Sequence, residues 1–314
     1  MNISANCSVE ATIWRWRACA LSVELTACVL GAIGCAISFC CLRACDKIHL
    51  AMKIQMSLIF MVSFVVCLVA MPGHVITDYW TIICWQRNEG TVLAFVIFYS
   101  VSVNIVRNYY TLLAIYRFLA VCFPIWYQQL SRWTVVTGVV VFVTVCVVLS
   151  WSTLFIIQDY ISVDLTNPSS YYMGRILFCL LLVIPFTATV IAYFAMVLSI
   201  LYKRFFMTQP QGVHRPDQIA KSVSILIFTN LLLDVPHLTV HLTYASSRDV
   251  SFILVHMIYR LRFVFDPFLF VWLNMRYRQK VLRYVYSKLQ HRELADIKVS
   301  DTRSVPTPSA STNP

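Results

Sequence analysis

Charge is what this chain has least of. Asp, Glu, Lys and Arg together make up 12% of its 314 residues, and acids are the scarcer sign, 14 against 25 basic residues. A domain of this size in water needs a charged surface. With hydrophobic residues at 59% and a mean hydropathy of +0.72, the composition excludes an ordinary soluble globular protein. Signatures of catalysis are missing as well: there is no HExxH pair, nucleophile elbow or phosphate-binding loop, so neither enzymatic activity nor a cofactor is expected. No internal repeat is present, and no connecting segment is long enough to hold a second domain.

What fills the chain instead is a series of apolar runs, each able to cross about 30 Å of hydrocarbon. They lie at 19–42, 51–76, 91–122, 133–157, 173–202, 218–245 and 250–274. The expected fold is all-α: a seven-transmembrane helix bundle. Residues 1–18 are expected to form an extracellular tail, 19–290 the bundle with a surface helix, and 291–314 a disordered cytoplasmic tail. The surface helix is read from Met275–Lys288, where basic and apolar residues alternate as in a helix lying on the inner leaflet. The tail beyond Asp296 is rich in Ser, Thr and Pro.

Orientation follows from the basic residues. Placing the N-terminus outside puts 5 Lys and Arg on that side and 17 on the other, with Arg107, Arg260 and Arg262 inside spans. The C-terminus is then cytoplasmic, the expected location is the plasma membrane, and the basic bias answers anionic membrane lipid rather than nucleic acid. Sequons at Asn2 and Asn6 suit an outside tail and glycosylation. No cleavage pattern precedes Cys19, so the first span is expected to act as its own insertion signal. Most of the 12 cysteines fall within spans; Cys7 and Cys84 are the extracellular ones that have the chemistry to pair.

Prolines punctuate four spans, at Pro72, Pro185, Pro236 and Pro267. Each removes a backbone donor, and four bent helices suit a bundle that changes shape. Several motifs also fall in a particular order. They are Tyr116-Arg117-Phe118 followed by Pro124, Pro185 followed by Tyr193, and Asp266-Pro267-Phe268-Leu269-Phe270 leading toward Tyr277. In that order, across residues 19–290, the chain resembles the rhodopsin-like family of G protein-coupled receptors. The resemblance implies that Arg117, with Tyr116 and Tyr193, serves coupling to a heterotrimeric G protein. Asp234, Arg262, Asp266, Pro267 and Phe270 then stand at switch positions, and the Ser/Thr tail is a place for arrestin.

The departures from that pattern are specific. Cys35 and Ser63 replace the asparagine of the first span and the aspartate of the second, so the carboxylate of the internal sodium site is gone. Val92 stands where the third span has its cysteine, which removes the usual disulfide. Asp234 replaces the aromatic toggle, Phe270 a tyrosine, and Tyr116 the acid that restrains the neighbouring Arg.

Three acids, Glu24, Asp234 and Asp266, and the three in-span arginines should pair, since an unpaired charge at the bilayer centre costs about 2.5–3.5 kcal/mol. The resemblance implies that Asp234 faces Arg262. For an extracellular ligand the candidates are Glu24, Tyr99, His237, His241, His256, Tyr259 and Arg260. Tyr244 extends the face of His237 and His241, and Glu24 is positioned to neutralise Arg260. Three histidines have the chemistry to bind zinc or sense acid, but hydrogen bonding is their commoner use, and no metal is expected. A receptor is the favoured reading. An ion-linked transporter, motivated by the six intramembrane charges, and a non-coupling decoy receptor are the alternatives.

Overall fold

The structure, a computed structural model, describes residues 11–43, 49–83, 89–160, 176, 179–206, 218–243, 249–273, 279, 283, 286 and 287. The sequons, the Cys7 and Cys84 pair, Tyr244, the 291–314 tail and most of the surface helix lie outside these residues. All regular structure among them is helical. The helices are α1 (Ala11–Arg43), α2 (Leu50–Val65), α3 (Met71–Ile82), α4 (Glu89–Cys122), α5 (Pro124–Leu130), α6 (Trp133–Tyr160), α7 (Ile184–Phe206), α8 (Gln218–Leu242), α9 (Val250–Arg260) and α10 (Arg262–Leu273). Single π-helical turns, Val66–Ala70 and Cys179–Val183, run into α3 and α7.

Among the described residues six helical runs are long and apolar enough to cross a membrane: Ile13–Arg43, Leu50–Trp80, Gly90–Cys122, Trp133–Thr153, Cys179–Tyr202 and Val223–Leu242. The chain is thus built as a multi-pass membrane protein. The expected run at 250–274 is not one helix: α9 and α10 are interrupted at Leu261, whose amide turns back to the Ile258 carbonyl at 3.1 Å. At the other end of the chain, α1 starts at Ala11 rather than Cys19, so part of the expected tail is helical.

The π turns follow from the prolines. A proline ring collides with the carbonyl four residues back, and a widened turn relieves that collision. Both π turns end two residues before a proline, at Pro72 and Pro185. Helices α8 and α10 continue through Pro236 and Pro267.

Helix α4 is the axis of the bundle, packing against α2, α3, α5, α6 and α7, while α1 touches α2, α3, α9 and α10. Contacts of α8 with α7, α9 and α10 close the ring. Small side chains allow the close approach of α1: its inner stripe is Glu24, Ala27, Cys28, Gly31, Cys35, Ser38 and Leu42, recurring at helical spacing. Ser38 Oγ donates to the Pro267 carbonyl at 2.9 Å, satisfying backbone in a helix that proline has thinned. A Cβ on Gly31 would stand 2.7 Å from Cys67 Sγ and 3.1 Å from the Phe263 oxygen, the carbonyl that Pro267 leaves without its helical donor. Outward faces are apolar, as in Val141, Phe142 and Leu149 on α6 and Ile191, Phe194 and Leu198 on α7. Lipid makes that exposure costless.

Candidate functional site

A cavity of about 430 Å³ opens among α1, α3, α4, α6, α8 and α9. Glu24, Tyr99, His237, His241, His256 and Arg260 all line it, so six of the seven residues proposed from sequence to meet a ligand converge. The seventh, Tyr259, does not; at 1% exposure it is buried behind the wall, with its ring stacked on His237 at 3.9 Å between centroids. Sequence reasoning missed Arg17, His74, Asp78, Asn104 and Trp151, and left Arg107 unassigned, although all six also line the cavity. The i, i+4 spacing of His74 and Asp78 was the available signal.

Two ionic clusters border this space. In the outer one Arg260 forms an ion pair with Glu24, both buried, as their chemistry suggested. Arg260 Nη2 also donates to His74 Nε2 at 3.1 Å, which leaves His74 Nδ1–H to face Asp78 Oδ2 at 3.2 Å. His74 thereby bridges a guanidinium and a carboxylate, with the Arg260 guanidinium over the Tyr99 ring at 5.4 Å. The Tyr99 hydroxyl and Glu24 Oε2 are buried with no hydrogen-bond partner among the described residues. A polar ligand group or water in the cavity would satisfy them.

The inner cluster holds the expected pairing and adds to it. Asp234 does meet Arg262, at 3.3 Å, but its nearer partner is Arg107, whose Nη2 reaches the same Oδ1 at 2.8 Å. Tyr259 sits between the two guanidiniums and accepts from Arg107 at 3.0 Å and from Arg262 at 2.6 Å. Arg262 continues to Asp266 at 3.9 Å, and Asp266 accepts from Tyr110 at 2.8 Å and Asn230 at 3.0 Å. Two arginines and two aspartates make this cluster neutral overall. It needs neutrality, because removing one partner of a buried pair leaves a charge with no water to solvate it.

At the opposite end of α4, Arg117 points its Nη2 at Met52 Sδ. The Tyr116 hydroxyl donates to the Leu130 carbonyl at 3.3 Å, and its ring meets Tyr127 edge-on. That tyrosine therefore ties α4 to α5 and supplies no carboxylate to its arginine neighbour. Burial raises the Tyr127 phenol above its ordinary value against the opposing charge of Arg117, so it keeps its proton at neutral pH. Tyr193 stacks near Phe228 at 6.2 Å. Pro267 and Phe270 are buried, Phe270 against Phe60 at 5.2 Å.

No protein family model matches the chain, and no curated protein matches it in sequence.

Proposed function

We propose that this chain is a seven-helix receptor of the rhodopsin-like kind, with α9 and α10 together forming its last span. It is oriented with the N-terminus outside at the plasma membrane, takes an extracellular ligand in the α1/α4/α8/α9 cavity, and couples to a heterotrimeric G protein through Arg117. The observation that carries the reading is the face of α4. Tyr99, Val103 and Arg107 line the cavity, Tyr110 joins the buried charge cluster, and Ala114 and Arg117 continue the same face to the far end. A ligand that moves Arg107 therefore acts on the helix that carries Arg117, roughly 15 Å away at 1.5 Å per residue. The order of motifs along the sequence supports the same assignment.

The test is second-messenger output in cells without added ligand. Wild type should exceed mock-transfected cells, and Arg117→Ala should fall to the mock level at equal surface expression. Equal output from the two would sink the coupling proposal, and silence in both would favour the carrier or the decoy.

A further inference from the structure

The three histidines of the cavity do more than share a wall. His237 and His241 are one turn apart on α8, and His256 reaches them from α9, with ring centroids 4.7, 4.9 and 5.2 Å apart. His256 Nδ1 lies 2.8 Å from the Phe252 carbonyl. A carbonyl only accepts, so Nδ1 carries the proton and Nε2 presents a lone pair. Metal-ligating histidines are held in the same way, their second nitrogen donating to a backbone oxygen. The Phe252 ring, stacked on His256 at 4.0 Å, fixes the imidazole plane.

His256 Nε2 faces His241 Nε2 at 3.3 Å. Two nitrogens about 2.0–2.1 Å from a tetrahedral zinc stand about 3.3 Å apart, so these two atoms already span one edge of the coordination polyhedron. One ligand atom from each of the three histidines falls within 4.8 Å of the others, and closing that span to about 3.3 Å brings the His237 nitrogen onto a third corner.

From this geometry we propose that His237, His241 and His256 form a binding site for a borderline transition-metal ion, Zn²⁺ above all, with its fourth position open to the cavity. Three imidazoles without a carboxylate select Zn²⁺ over Mg²⁺ or Ca²⁺, which require oxygen ligands. Binding needs a lone pair from each ring: the His241 ring proton moves to Nδ1, His237 keeps its proton on Nε2 and binds through Nδ1 as Arg107 gives way, and no proton is released. Arg107 Nη2, 3.4 Å from His237 Nδ1, opposes the added charge, and Asp234 beside it offsets that opposition. The site spans α8 and α9, so an ion in it clamps two helices of the cavity together.

Isothermal titration of Zn²⁺ into the purified full-length protein in detergent tests this. One ion per chain should bind, millimolar Mg²⁺ should not compete, and thermal melting should rise with Zn²⁺. His241→Gln and His256→Gln should each weaken binding about tenfold or more, while His49→Gln, at an exposed position before α2, should leave it unchanged. If His256→Gln fails to give a monodisperse protein, His241→Gln carries the comparison, since its ring is only partly buried. Absence of binding by the folded wild type, or affinity unchanged in His241→Gln, overturns the site. The measurement is independent of signalling: a chain that binds zinc and never signals loses the receptor reading alone.

Discussion

At the scale of single residues, Asp234 carries the most. It is shared by two buried guanidiniums, so Asp234→Asn should destabilise the protein by about 3–5 kcal/mol and lower its melting temperature in detergent. Adding Arg107→Gln should restore part of that loss, because it removes one stranded charge along with its partner. Strict additivity of the two changes would show that the pair is not coupled. In cells compared at matched surface expression Asp234→Asn should still alter signalling; unchanged output per receptor would leave a structural role only. At the other end of α4, Tyr116→Asp should lower ligand-free signalling by giving Arg117 a charged acceptor, and unchanged output would contradict this. The sequence exposed these charges, because six ionisable residues in apolar runs are conspicuous. It pointed to the Glu24–Arg260 and Asp234–Arg262 pairs and missed Arg107 as the nearer partner of Asp234. Spacing along a span sets depth in the membrane, whereas pairing depends on helix rotation, which packing decides, and so Arg107 rather than Arg262 lies closest to Asp234.

At the scale of helices, the clearest test compares two glycines. Gly31 lies where α1 presses on the π turn and α10, and Gly31→Ala should cost about 1–3 kcal/mol through overpacking against Cys67 Sγ and the Phe263 oxygen. Cys67→Ala in the same chain should recover much of it. A Cβ at Gly138 in α6 would meet nothing within 4 Å, and Gly138→Ala should gain about 0.5–1 kcal/mol of helix stability. Thermal melting of the two variants side by side checks both, and equal shifts would refute the packing account of α1. Helix existence was legible because apolar runs of span length have few other fates. Helix interruptions were legible only in kind. Pro72 and Pro185 announced irregularity but not its form as π turns, and the step at Leu261 lies six residues before Pro267, outside the reach of any local proline rule.

For the molecule as a whole, composition and charge bias led to a multi-pass helical membrane protein, and the six long apolar helices bear that out. The proposed orientation makes its own prediction: an N-terminal epitope should be labelled on intact cells and a C-terminal one only after permeabilisation. The reverse pattern would invert the assignment of both faces. The cavity was legible in outline because four of its polar residues, His237, His241, His256 and Arg260, recur at helical spacing on α8 and α9. Its far wall was not, since His74 and Asp78 gain meaning only once α3 is seen to lie beside Arg260.

The step from Arg260 through Leu261 to Arg262 has a consequence for how the chain is made. α9 and α10, of 11 and 12 residues, carry Arg260, Arg262 and Asp266 between them. Three charges entering hydrocarbon alone would cost roughly 8–10 kcal/mol, more than the flanking apolar residues return during biosynthesis. Their counter-charges, Glu24 on α1 and Asp234 on α8, are synthesised earlier and wait in the membrane. The last segment is therefore the one whose insertion depends on helices already in place, and a chain that loses both Glu24 and Asp234 should leave its C-terminal portion stranded on the wrong side of the translocon.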